Sequence, residues 1–241
     1  MAIYNLSDTD LTTRLTTGAT ATFDTAGVNA VINALNADSA FNPTAQVDVV
    51  AAPPVNGTAE AAIFTGSSPI TFTPASTLSA VVVDTATGAN LTVNNAGTLT
   101  ILTGQGGDLV DINGAPSKDS VFTSAGNDTI YAGSGNDYVN AGAGNDVVYG
   151  QDGNDTIYAG TGADTIYAGT GNDSIYLNAG RGTDSVVGGT GVDRLYLLGH
   201  NRADAVITKA GAITTINFCQ GEVVKVSGVE FLHFADKIVK I

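Results

Sequence analysis

Every ninth residue from 130 to 175 is isoleucine or valine: Ile130, Val139, Val148, Ile157, Ile166 and Ile175. Two places before each stands an aspartate, at 128, 137, 146, 155, 164 and 173. Two places before that stands a glycine, at 126, 135, 144, 153, 162 and 171. The pattern glycine, any, aspartate, any, aliphatic thus runs through six units without a gap. It resumes after two extra residues with Gly182/Asp184/Val186 and Gly191/Asp193/Leu195. Upstream, Gly104-Gln-Gly-Gly-Asp108-Leu-Val110 is a good copy. Lys118-Asp119-Ser-Val121 is a degraded one, because Pro116, Ser117 and Lys118 replace the turn glycines.

Nine residues are too few for a helical repeat or a propeller blade, but suffice for one tight turn and one short strand. Two such units make one coil of a parallel β-solenoid with the aliphatic position facing inward. Glycine is required where the turn takes a positive φ. Asparagine before the Asp in five of the six regular units is expected to tolerate the same left-handed region.

Coils stack about 4.8 Å apart, so carboxylates 18 residues apart lie at about that spacing. One edge carries Asp128, Asp146 and Asp164, and the other Asp137, Asp155 and Asp173. Like charges about 5 Å apart repel by roughly 3 kcal/mol at an effective dielectric of 20. Such rows call for cations between the turns. Carboxylates with turn carbonyls form an all-oxygen donor set, which suits Ca²⁺ better than Zn²⁺, since no His or Cys recurs with the Asp. The alternative is that the aspartates only shape Asx-turns.

The run resembles the RTX (repeats-in-toxin) nonapeptide GGxGxDxUx, a Ca²⁺-binding β-helix repeat. The resemblance covers residues 104–197. It implies a right-handed parallel β-roll or β-solenoid with several Ca²⁺ ions between turns; with the ends of the chain as their residues read, the expected fold is all-β with a short N-terminal helix and a C-terminal β cap. Carried over, it proposes Asp128, Asp137, Asp146, Asp155, Asp164 and Asp173 as metal ligands, followed by Asp108, Asp184 and Asp193; Asp119 is left doubtful. Units departing at the first glycines (Ser124-Ala125, Gln151-Asp152), and Ala163 in place of Asn, are expected to bind more weakly.

Residues 1–45 read as an N-terminal cap or assembly segment. Val28, Val31, Ile32 and Leu35 predict an amphipathic helix over about 25–37, either closing the end of the solenoid or starting an anchoring module. Residues 46–103 read as a metal-free solenoid section, with runs such as Ala61–Thr65, Asn90–Val93 and Thr98–Leu102 alternating as half-buried strands do. Residues 104–197 form the calcium-binding roll, and 198–241 a C-terminal cap with closing strands. The tail from Val226 resembles the C-terminal ends of RTX proteins exported by type I secretion, which implies an uncleaved export signal.

Within the roll the residue after each inward aliphatic points out. Tyr131, Tyr149 and Tyr167 line one face. Phe122, Asn140, Tyr158, Tyr176 and Tyr196 line the other, with Tyr138 beside Asn140. The rings either stabilise neighbouring strands or form a face for assembly or glycan stacking; Tyr131, Tyr149, Tyr158, Tyr167 and Tyr176 are the candidates for that face.

Composition narrows the function. Over 241 residues, 23 acidic side chains against 9 basic give a net charge of −14, which argues against nucleic acid and anionic membranes. Cys219, the single cysteine, excludes an intramolecular disulfide. It is expected to be a small buried residue, with an intermolecular bridge as the alternative. The first ten residues show no basic and apolar regions of a Sec-type signal, and no apolar run reaches transmembrane length. His200 and His233 are isolated and read as surface or cap residues. HExxH, GxSxG, phosphate-loop and EF-hand patterns are missing.

The expected function is therefore non-catalytic: a secreted, extracellular or cell-surface calcium-binding structural protein, assembling as a homo-oligomer or filament into a surface layer, matrix or fibre. The alternative is a calcium-dependent adhesin that binds cell-surface polysaccharide through its tyrosine faces. An enzyme with its active site in residues 1–103 is disfavoured, since that region holds no His or Cys.

Overall fold

A computed structural model describes residues 3–5, 46–50, 61–65, 70–72, 80–84, 88–95, 97–114, 116–178, 180, 182–219 and 221–241. The helix expected over 25–37 lies outside the described residues. Among these residues the strands form two sheets, of 12 and 10 strands. From Ala61–Thr65 to Arg194–Leu198 alternate strands enter alternate sheets, and each pairs in parallel with the strand one coil away. Thr129–Tyr131 sits on Val147–Asp152, which sits on Thr165–Thr170. Tyr138–Asn140 sits likewise on Thr156–Gly160 in the other sheet. Over the described residues the chain is an all-β parallel solenoid, as the nine-residue period predicts.

The register follows the repeat. Asp128 lies 18 residues from Asp146 and binds it directly. The advance becomes 20 between Asp108 and Asp128, and again between Asp164 and Asp184, where the units carry two extra residues. Each short strand is buried at its centre and half-buried at its flanks, as in Thr129-Ile130-Tyr131. Ile130, Val139, Val148, Ile157, Ile166, Ile175, Val186 and Leu195 are at most 1% exposed and form a single inner column with Ala132, Ala141, Ala159 and Ala168. Burying each branched side chain stabilises the coil by about 2–3 kcal/mol.

The parallel stack ends in antiparallel pairs. At the C-terminal side Ala205–Ala210, Ile213–Phe218 and Val223–Ser227 form a meander whose last strand joins the roll in parallel. Phe231–His233 continues the other sheet and pairs antiparallel with Ile238–Lys240. At the N-terminal side Ile3–Asn5 pairs antiparallel with Gln46–Val50. Cys219 corrects the sequence reading: it is exposed, in the turn after Ile213–Phe218, with its thiol donating to Asp204 O at 3.2 Å.

Candidate metal centre

The motif aspartates are the least exposed charged groups of the roll. Asp108, Asp119, Asp128, Asp137, Asp146, Asp155, Asp164, Asp173, Asp184 and Asp193 are all at most 5% exposed. The turn before each one points the carboxylate back toward the stack, where its Oδ1 accepts the backbone N–H of the corresponding residue one coil earlier. One row runs from Ala89 N–H to Asp108, Asp108 N–H to Asp128, and on through Asp146, Asp164 and Asp184 at 2.5–3.0 Å. The other runs from Leu99 N–H to Asp119, Asp137, Asp155, Asp173 and Asp193 at 2.7–2.9 Å. Ala89 and Leu99 stand where the rows would continue toward the N-terminus, so the carboxylates stop there.

The second oxygen divides the rungs into two kinds. At the N-terminal end it has a protein donor: the Thr103 hydroxyl for Asp108 and the Ser117 hydroxyl for Asp119. Further along, Oδ2 of Asp128, Asp137, Asp146, Asp155, Asp173 and Asp193 is buried with no hydrogen-bond partner. Thr123 lies near Asp128, but its hydroxyl proton is directed to Ala141 O at 2.8 Å. A buried ionised oxygen without a donor is strongly disfavoured. Burial therefore pushes the carboxyls up, to about 7 for Asp108, Asp137, Asp146 and Asp155 and about 6 for Asp128, Asp173 and Asp184. The N–H on Oδ1 pulls each partly back, and carboxylates of the same row push Asp146 and Asp155 up from both sides. Asp164 and Asp193 are raised for the same first reason.

What borders these oxygens is backbone carbonyl. A Cβ added to Gly150 would meet Ala168 O at 2.4 Å and Asp155 Oδ2 at 2.5 Å, so two acceptors face one small space. In the turns, a Cβ on Gly144 would strike Gly126 O at 1.5 Å, and one on Gly153 would strike Gly135 O at 1.4 Å. Turn carbonyls of one coil thus press on the turn of the next, and these glycines are obligatory. Among the described residues no three His, Cys, Asp or Glu side chains converge, so any cation here must complete its shell with backbone oxygens. Orphaned carboxylate oxygens beside carbonyls, with no soft ligand, are a donor set for a hard divalent cation.

The family pattern for the RTX calcium-binding nonapeptide repeat, taken as four copies, matches residues 113–148, 149–183 and 178–201. Over residues 113–201, less than half of the chain, the protein is similar to RTX calcium-binding nonapeptide repeats. No curated protein matches the chain. The RTX repeats include the rungs from Asp119 to Asp193, while Asp108 and everything after residue 201 lie outside the match.

Two sequence readings change here. Asp119, doubted for its missing glycines, holds the same place in its row as Asp137, and Ser117 supplies a hydroxyl where the glycine would be. The turn asparagines do not use the left-handed region: among the described non-glycine residues only Ser124 and Gln151 have positive φ, at 52° and 76°. Instead the Oδ1 atoms of Asn127, Asn136, Asn145, Asn154 and Asn172 each accept a backbone N–H of the next coil at 2.6–2.8 Å, an outer ladder parallel to the aspartates. Ala163 donates its N–H to Asn145 Oδ1 in this ladder but has no side-chain oxygen to accept the next one. The sequence reading also missed Glu230, whose Oε2 accepts the Asp193 N–H at 2.7 Å. Its signal was present: Gly228-Val-Glu230-Phe-Leu232 is the repeat pattern with Glu for Asp.

The outward tyrosines stack as columns. Tyr131, Tyr149 and Tyr167 have ring centroids 4.6 and 5.0 Å apart and planes within 7°. Tyr158, Tyr176 and Tyr196 are spaced 4.3 and 4.4 Å, and His233 closes that column at 4.3 Å from Tyr196. Tyr138 bridges Phe122 and Tyr158 at 5.5 and 5.4 Å, filling the gap at Asn140. His200 pairs with Glu222 at 3.1 Å and stacks on Phe218, so both histidines belong to the C-terminal cap. Among the described residues no helix is long and apolar enough to cross a membrane.

Proposed function

We propose that the protein is a secreted, non-catalytic, calcium-binding structural protein whose roll forms on Ca²⁺ outside the cell and then assembles side by side into a layer, matrix or fibre. The observation that carries the reading is the pair of buried carboxylate rows with unpartnered Oδ2 atoms. Asp128, Asp137, Asp146, Asp155, Asp164, Asp173 and Asp184 would hold the ions together with turn carbonyls. Asp108 and Asp119 are weaker ligands, since each already has a hydroxyl donor. Bound calcium supplies the positive charge that lets adjacent rungs stay ionised. Ions that bind only the folded coils stabilise them by mass action, and extracellular modules of this class work with millimolar affinity.

The stacked tyrosines support lateral assembly, because they present flat, rigid, half-exposed columns; Tyr167 is 40% exposed. Head-to-tail joining is less favoured, since the antiparallel meander covers the C-terminal end of the roll. The same columns support a second reading, an adhesin that stacks sugars on its rings. Electron microscopy of the purified protein with and without Ca²⁺ tests the first reading: calcium-dependent filaments or sheets support it. Soluble monomers that bind glycan, losing that binding when Tyr149, Tyr158 and Tyr167 become Ser, would replace it with the second.

A further inference from the structure

The carboxylate row does not end with the last RTX repeat. Arg194 pairs with Phe231 in the sheet register, which puts Glu230 where the next aspartate of the row would stand. Its hydrogen bonds are those of a rung. Asp193 N–H donates to Glu230 Oε2 at 2.7 Å, as Asp173 N–H donates to Asp193 Oδ1 at 2.9 Å. Phe231 N–H donates to Asp193 O, as Arg194 N–H donates to Asp173 O. A glycine again stands two places before the acid, although Gly228 turns at φ 61° where Gly191 of the previous rung turns at 135°. The 37-residue step from Asp193 to Glu230 contains the meander of 205–227, inserted between one rung and the next.

Between these rungs lies a space with the chemistry of the inner ones. Asp193 is fully buried and its Oδ2 has no partner. A Cβ on Gly188 would meet Gly228 O at 2.0 Å and Asp193 Oδ2 at 2.6 Å, so the cap's turn carbonyl and the orphaned oxygen border one space. The nearby cations point elsewhere: Arg194 and Lys240 both lie over the Phe231 ring, at 5.7 and 5.9 Å. Among the described residues no Lys or Arg forms a salt bridge with Asp193 or Glu230; Arg194 acts on Asp193 only as a neighbouring charge, its guanidinium donating to Val192 O at 3.3 Å.

We propose that Glu230 is the terminal ligand of this row, and that a divalent cation between Asp193, Glu230 and the Gly228 turn locks the C-terminal cap, residues 223–241, onto the roll. The proposal rests on the calcium reading of the inner rungs and adds a site outside the matched repeats. Glutamate suits the position because its longer arm reaches the row from a segment that arrives by a different route. Cap docking thereby becomes a calcium-dependent step in its own right.

The test is hydrogen exchange by mass spectrometry on the full chain, titrated with Ca²⁺, following peptides from 126–176 and from 223–241 separately. In Glu230→Gln the amide oxygen still accepts the Asp193 N–H, but the charge is gone. Protection of 126–176 is expected to keep the wild-type calcium midpoint, while protection of 223–241 shifts to about tenfold higher Ca²⁺, with one fewer bound ion by elemental analysis. Glu230→Asp, which keeps the charge, is expected to lie between the two. An unshifted cap midpoint and an unchanged ion count in Glu230→Gln would overturn the assignment of Glu230 alone. A wild-type chain whose protection ignores Ca²⁺ in both regions would overturn the calcium reading beneath it.

Discussion

Replacing Asp155 by Asn separates the two roles of a rung, because the amide oxygen can still accept the Asp137 N–H, held at 2.9 Å in the wild type. Only the charge is removed. In the ion-free roll the Asp155 carboxyl is pushed up from 3.8 to about 7, first by burial and then by Asp137 and Asp173 on either side. At neutral pH that difference corresponds to about 4 kcal/mol of folding free energy forgone at this one position. The new NH₂ needs an acceptor, and Ala168 O borders the same space; imperfect geometry there costs about 1–2 kcal/mol. Asp155→Asn should therefore stabilise the ion-free chain by about 2–3 kcal/mol at pH 7.5, while weakening its response to calcium.

Urea unfolding followed by far-UV circular dichroism, in chelator and in millimolar Ca²⁺, reads both effects. The expected result is a reversal of sign: the variant is more stable than wild type without the ion and less stable with it. Should the ion-free wild type show no transition at pH 7.5, the comparison moves to pH 5.5, where part of the penalty is relieved by protonation. A variant destabilised equally in both buffers would refute the reasoning, since Asp155 would then act through its shape and hydrogen bond and not through its charge.

Three further outcomes follow from the same structure. For the ion-free chain, Asp137, Asp146 and Asp155 titrate near 7 when folded and near 3.8 when unfolded; the folded form binds more protons in that window, so stability should fall as pH rises from about 4 to 7. In saturating Ca²⁺ the slope should reverse, because the ion binds the ionised form, and urea midpoints across pH 4.5–8 in both conditions check this. Gln151→Gly should raise the unfolding free energy by roughly 0.5–1 kcal/mol, read as a higher urea midpoint, since Gln151 sits at φ 76° in a position that Gly133, Gly142, Gly160 and Gly169 hold elsewhere. Thr103→Val should destabilise the chain by about 1–3 kcal/mol in chelator by stripping the donor from Asp108 Oδ2, and added Ca²⁺ should recover part of the loss.

The period made the solenoid, its inward column and the two carboxylate rows legible before any coordinates, because one residue in nine fixes each of them and errors would have to repeat six times. What was not legible depended on contacts between coils. The asparagines were assigned a backbone role that local propensity favours, but the bond each makes is to a residue 18 or 20 positions away. Asp119 keeps its place in the row although its turn lacks glycine, because the row is held by the strand register and not by the turn alone. Glu230 escaped because the repeat was read for Asp at regular spacing, and a 37-residue excursion separates it from the previous rung. Cys219 was placed inside on residue type, but the turn in which it lies faces solvent.

The two ends of the roll show how a charged core can be terminated. A buried carboxylate oxygen can be answered by a hydroxyl, a proton or a cation, and the rungs use these unequally. At the N-terminal end Thr103 and Ser117 answer Asp108 and Asp119 from within the chain, so the rungs next to the apolar positions Ala89 and Leu99 do not depend on an ion. In the centre, Ala132 and Ala141, five residues before Asp137 and Asp146, offer methyl groups where Thr103 offers a hydroxyl, and the orphaned oxygens must wait for a partner from solution. Thr123, five residues before Asp128, turns its hydroxyl to Ala141 O instead, so that rung stays open as well. With methyl groups at Ala132 and Ala141, the central coils are the ones in which the proposed calcium reading places a divalent cation to offset the buried charge at neutral pH.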